Sequence, residues 1–156
     1  MSTFSGAIAV AFGTFNASIV SSNGVVQSGT VYTAAVGRKT IWRPTNFFNQ
    51  LNGSSSVSLI FQKKDPHSGA YFDFCTFGVS GSGGGSNPFA AKIDASSLQT
   101  LIDHGLMDTD YSGTLGTGNA RIILGPEDRI RYIGGSTPDG SNLRLCGQTE
   151  QYFSSL

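Results

Sequence analysis

From Leu124 to Phe153 the sequence reads LGPEDRIRYIGGSTPDGSNLRLCGQTEQYF, and twice within it apolar residues recur at every second position. Ile130, Tyr132 and Gly134 alternate with Arg129, Arg131 and Ile133. Leu143, Leu145 and Gly147 alternate with Asn142, Arg144, Cys146 and Gln148. Only an extended chain sends successive side chains to opposite faces, so each segment reads as a strand with one buried side. Gly125-Pro126-Glu127-Asp128 predicts a type I turn before the first strand, with the proline pre-set at its second position. The Gly134–Ser141 stretch separates the two strands. Together they read as a β-hairpin with its arginines on the exposed side.

The same grammar runs through the rest of the chain. Phe4 to Phe12 predicts a first strand, and Phe15 to Val20 its continuation or a hairpin partner across Gly13-Thr14. Asn23-Gly24, between Ile19-Val20 and Val25-Val26, is a strong hairpin signal, and Gly29 to Ala35 extends it. Thr40 to Arg43 predicts a short strand ended by Pro44, followed by a loop or helical turn to Ser56. That loop carries Phe47 and Phe48. Val57 to Lys63 predicts a strand closed by the Asp65–Gly69 turn. Ala70 to Val79 follows with apolar bulk on both faces, which suits a central or interface-buried strand. Gly81 to Ser86 predicts a flexible loop. It lacks the Lys-Ser/Thr of a phosphate cradle. Ser96 to His104 predicts one helix, with a Ser96/Gln99 capping box, a Leu98/Leu101/Ile102 stripe and Gly105 at its end. After a Gly/Thr loop, Ala120 to Leu124 predicts a further strand. The expected fold is all-β, a single β-sandwich or jelly-roll domain over residues 1–156 with one short helix.

Composition narrows function more by exclusion than by naming it. Charged residues are 13% of 156 positions, against about 25% in ordinary soluble domains. Lys plus Arg equals Asp plus Glu at 10 each. No basic excess exists to attract nucleic acid or an anionic membrane. The N-terminal stretch lacks the basic region and apolar core of a signal peptide, so secretion by that route is not expected. A neutral, charge-poor surface suits a subunit covered by neighbours, since net charge keeps free proteins apart.

No catalytic constellation stands out, and no enzyme activity, cofactor or metal is expected. His67 and His104 lie in no ligand spacing, and pairing of either with Cys75 as a nucleophile has no local support. Asp103, Asp108 and Asp110 cluster in DHGLMDTD, yet the glycine and distal glutamate of a calcium loop are missing. Solvated loop carboxylates are the simpler reading. Cys75 and Cys146 read as free, buried thiols, with a bridge between them left open. The groups left for function are contact groups: Trp42, Phe47 and Phe48 as apolar anchors, with Phe47 and Phe48 as plugs for the end of the domain's own core the equal alternative, and Arg129, Arg131 and Arg144 for register. Arg121 joins them on the last predicted strands. Guanidiniums in a row suit carboxylates on a partner. Pairing with Glu127, Asp128, Asp139 and Glu150 of the same chain is the alternative.

The segment LGPEDRIRYIGG…NLRLCGQTEQYF resembles a closing hairpin of small β-rich structural proteins of tailed bacteriophages. The matching residues are Gly125, Pro126, Asp128, Ile130, Tyr132, Leu143 and Leu145, and the resemblance covers about the last thirty residues. It implies a virion component assembled in the host cytoplasm: a capsid decoration (cement) protein, or a small tail or head-fibre subunit. The charge-poor surface leads to the same expectation independently, with copies of itself, most simply in a trimer, and a larger protein lattice such as a capsid shell as partners. A carbohydrate- or receptor-binding sandwich is the second expectation, with Trp42, Tyr71 and Tyr111 stacking on sugars. A jelly-roll hydrolase is the third.

Overall fold

Alternation in the sequence becomes alternation in burial. Along the last strand Leu143, Leu145, Gly147 and Thr149 are buried, while Arg144 and Gln148 are exposed. The structure is a computed structural model describing residues 9–22, 25–49, 53–83, 89–107, 121–136 and 143–153. Its strands are β1 (Ala11–Ile19), β2 (Ser21–Ser22), β3 (Val25–Val26), β4 (Gly29–Thr33), β5 (Arg38–Asn49), β6 (Gly53–Lys64) and β7 (Tyr71–Gly83). They are followed by β8 (Phe89–Ala90), β9 (Lys92–Ile93), α1 (Ala95–Asp103), β10 (Ile122–Leu124), β11 (Arg129–Ser136) and β12 (Leu143–Phe153).

The pairings are nested. β1 pairs with β12, β4 with β11, β5 with β10 and β6 with β7, all antiparallel. The chain is thus a long ribbon folded back at the β6–β7 turn. Wrapping that ribbon adds the β12–β5 and β11–β6 ladders and splits it into two sheets. One runs β1-β12-β5-β10, with β8 also on β5. In the other β11 lies beside β6, β6 beside β7 and β7 beside β9, while β3 and β4 line the far side of β11. This is the all-β sandwich expected, in jelly-roll form.

The sheets close on an apolar core that includes Phe15, Trp42, Phe47, Leu59, Phe61, Phe77, Ile130 and Leu145. Phe15 stacks on Trp42 at 4.9 Å between ring centroids, and Phe77 from the opposite sheet meets Trp42 edge-on at 6.4 Å. Burying each such side chain contributes about 1.5–3 kcal/mol.

Several local expectations change. The Arg129–Ser136 and Leu143–Phe153 strands are not a hairpin. β11 and β12 belong to different sheets, and the residues that join them lie outside the described residues. Phe15 to Val20 is not a hairpin partner across Gly13-Thr14, because β1 runs unbroken through both. The Phe4–Phe12 reading lies mostly outside the described residues. β5 continues through Pro44 to Asn49 instead of ending in a loop. The ladder with β12 shifts between Cys146 and Gly147, leaving Thr45 as an extra residue. On the other side of β5, β10 reaches only Thr40–Trp42 and β8 only Asn46–Phe47. Pro44 sits in the gap, where the lost N–H donor is tolerated at a bulge. Gly81 to Gly83 belong to β7 rather than to a loop, and the remainder of that stretch lies outside the described residues.

Other expectations hold. Ser21 and Ser22 pair with Val26 and Val25 around residues 23–24. Gly125-Pro126-Glu127-Asp128 is a turn, closed by Asp128 N–H to Gly125 C=O at 3.2 Å. Its third residue, Glu127, has φ 62°, which makes it a type II turn rather than type I. The helix starts one residue early, at Ala95, with Asp94 as N-cap instead of Ser96. Asp94 accepts from the Ser80 hydroxyl, and the Ser97 hydroxyl accepts from Gly78 N–H, so both tie α1 to β7. At its other end Gly105 (φ 69°) donates to Ile102 and Leu106 to Leu101, a Schellman closure.

Candidate functional site

A site built from the expected anchors must begin by losing two of them. Trp42 and Phe47 are fully buried in the chain's own core. Both occupy inward positions of β5, so neither ring is available to a partner. The bulge at Thr45 explains the pairing of faces: it shifts the alternation by one residue, turning Phe47 inward and Phe48 outward. Phe48 remains 37% exposed, with the Arg144 guanidinium 5.7 Å above its ring.

The arginines are divided between opposite sides of the sandwich. Arg144 stands on the outer face of the β1-β12-β5 sheet. Arg129 and Arg131 stand on the outer face of the other sheet, since they belong to β11. The expected single row does not form. Arg129 lies 3.7 Å over the Tyr71 ring, and its Nε donates to Gln62 Oε1 at 2.6 Å. Gln62 in turn donates to Asp73 at 2.7 Å, a polar relay across β11, β6 and β7. The Tyr71 hydroxyl donates to the Glu127 carbonyl. Its ring face is covered, which removes it as a sugar platform. Trp42 fails for the same purpose by burial, and Tyr111 lies outside the described residues.

Pairing within the chain also absorbs most carboxylates near the arginines. Arg121 binds Glu150 through two N–H···O contacts of 3.3 and 3.1 Å, Arg43 approaches the same carboxylate at 3.8 Å, and the Tyr152 hydroxyl donates to it at 3.1 Å. Lys64 binds Glu127 at 2.6 Å, and this hydrogen bond holds the ammonium protonated above its usual range. Asp128 is buried and accepts from Gly125 N–H, Lys64 N–H and the Lys63 ammonium. These groups brace the β6–β7 end of the sandwich. Arg131 differs, with its Nε buried and without a partner among the described residues.

Among titratable groups with catalytic potential, both cysteines are free and half-buried. Burial pushes both thiols up, which keeps them protonated and poorly nucleophilic at neutral pH. Asp103 accepts from Gln99 on the helix surface, whereas Asp108 and Asp110 lie outside the described residues. Among the described residues no three His, Cys, Asp or Glu side chains converge.

What does converge is a set of hydroxyls and amides. Thr14, Asn16, Asn46 and Gln148 line a shallow basin on the outer side of β1, β12 and β5, rimmed by Phe48 and Arg144. Beside it Phe12 projects at 77% exposure. Sequence reading missed this face because Thr14, Asn16 and Ser18 carry no signal alone. Their alternation with buried Phe15, Ala17 and Ile19 does carry one. Further exposed apolar groups are Val36, Phe72 and Phe153, the last beneath the Arg38 guanidinium at 4.7 Å. Comparison of the chain with protein-family models, with curated proteins and with solved structures found no match in any of the three.

Proposed function

We propose that this chain is a structural subunit of a bacteriophage particle, a capsid decoration protein that binds copies of itself and stabilises the shell through protein–protein contacts. The observation that carries the reading is apolar surface left in water on a neutral chain. Phe12, Phe72 and Phe153 are 77%, 59% and 72% exposed, and Val36 75%. A protein with zero net charge has little to keep such groups from associating, so they suit surfaces that assembly covers. The jelly roll adds limited support, as an architecture of viral capsid domains and also of lectins. Phe48 and Arg144 remain contact candidates, while Trp42 and Phe47 act only by holding the sandwich in shape. The test is the mass of the native chain by light scattering, alone and with purified shell particles. Co-sedimentation with shells at a fixed ratio supports the reading. A chain that stays apart from both expanded and unexpanded shells refutes it.

A second reading, a glycan- or receptor-binding module of a fibre or tail, is favoured by the basin of Thr14, Asn16, Asn46 and Gln148. Hydroxyls and planar amides beside one aromatic edge match the hydrogen-bonding groups of a sugar. Saturable binding on a glycan array, lost in Gln148→Ala, would move the assignment there.

A further inference from the structure

Sheet edges are where strands of another chain can add, and most edges here are blunted. β10 is three residues long and is met on its outer side by Leu106 and Met107. β7 is flanked by β9 and α1, and β8 is two residues long. β1 is different. Its nine residues pair with β12 on one side; among the described residues no strand forms a ladder on the other, although β4 of the second sheet packs close by, with Tyr32 against Phe15. The strand AFGTFNASI contains no charge and no proline, the residues by which proteins usually guard such an edge.

The outward side chains of this edge form a chemical palindrome. Phe12, Thr14, Asn16 and Ser18, with Val20 one residue past the strand's end, read apolar, hydroxyl, amide, hydroxyl, apolar, and all five are exposed. Reversed end to end about Asn16, the row meets itself: Phe12 faces Val20, Thr14 faces Ser18, and Asn16 faces Asn16. The inward row matches in the same register, with Gly13 opposite Ile19 and Phe15 opposite Ala17, small against large. An interface built on a two-fold axis needs this self-complementarity.

We propose that β1 is a self-association edge, which pairs antiparallel with β1 of a second copy about a two-fold axis at Asn16 and makes one continuous sheet of the two β1-β12-β5-β10 sheets. Unpaired main-chain N–H and C=O groups of each edge satisfy those of the other. Phe12 of each copy covers Val20 of its mate. The symmetry is two-fold in place of the three-fold assembly expected from sequence. The pairing does not rest on the virion reading, and its failure would leave shell binding to be judged by co-sedimentation.

Light scattering over a dilution series should find a species of twice the 16.4 kDa chain mass. Its β1 amides should be protected from hydrogen exchange, with protection falling on dilution. Asn16→Lys places two ammonium groups face to face on the axis and should halve the mass while leaving the far-UV spectrum unchanged. If that variant fails to fold, a second one decides. Asn16→Cys should form a symmetric inter-chain disulfide under mild oxidation. It is made in a Cys146→Ser background, because Cys146 lies opposite Asn16 on β12. A monomer at high concentration, a three-fold assembly, or a dimer that survives Asn16→Lys and forms no inter-chain disulfide in Asn16→Cys overturns the proposal. So do concentration-independent protection of β1 in a monomer, which assigns the edge to the chain's own residues, and protection only on adding another protein.

Discussion

Replacing Gly147 by alanine tests the joint between β5, β12 and the aromatic core. Gly147 lies opposite Phe15 on β1 and opposite Pro44 at the β5 bulge. A methyl group there would meet the Phe15 ring, with Cζ 2.8 Å away, and the Arg43 carbonyl oxygen closer still. Carbon atoms rest at about 3.5–4.0 Å, so the ring must retreat by roughly 1 Å. Overpacking of this kind costs about 1–3 kcal/mol. Retreat also loosens the Phe15–Trp42 stack, about 0.5–1.5 kcal/mol. Moving the Arg43 carbonyl weakens one or two ladder hydrogen bonds at about 1 kcal/mol each. The expected total is about 2.5–6.5 kcal/mol, a large part of the 5–15 kcal/mol typical of a folded domain. Urea unfolding followed by Trp42 fluorescence should show the midpoint falling by about 2 M at unchanged slope, for a slope near 2 kcal/mol/M. Gly134→Ala is the control: a methyl there meets open space, and the effect should stay within about 0.5 kcal/mol. A loss below about 1 kcal/mol in Gly147→Ala would refute the close approach of Phe15 and the bulge together.

Asp128→Ala should cost about 2–4 kcal/mol, because the N–H groups of Gly125 and Lys64 lose their acceptor, and Asp128→Asn should cost less. Equal small losses in urea titrations of the two variants would show that the carboxylate is dispensable. Gly105→Ala forces a side chain into the left-handed region that closes α1, for a loss of about 1 kcal/mol. A melting temperature lowered by about 2–4 °C would register it, and no change would argue against the Schellman closure. The Ser68 hydroxyl first, and His67 N–H second, hold the Asp65 carboxyl below its ordinary value of 3.8. Because the folded value is lowered, the turn's contribution is present above the ordinary value and fades as pH falls through the lowered one. NMR titration of Asp65 should show its midpoint rising toward 3.8 in Ser68→Ala, and an unmoved midpoint would contradict the hydrogen bond.

Much of the fold is legible residue by residue. Alternation from Arg129 and from Leu143 predicts strands with one buried side, and both exist. Gly105 and the Asp65 turn are equally plain, because backbone conformation at such points depends on the residue itself. The candidate surface is harder. Phe48 and Phe47 are chemically identical neighbours, and only the extra residue at Thr45 decides which of them faces water. Arg129 and Arg144 obey the same alternation, yet nothing local says that their strands lie in different sheets. Trp42 looks like an anchor until Phe15 and Phe77 close over it.

Local chemistry therefore determined the strands, most turns, the helix end and the poverty of charge. Those properties follow from side-chain size, backbone freedom and a period of two, all written within a few positions. Which strands became neighbours was settled only in three dimensions, as the ribbon wrapped and buried the inward rows of both sheets together. That wrapping divided the arginines between two faces. It also left β1 at a margin, with one row of its main-chain hydrogen-bonding groups facing outward.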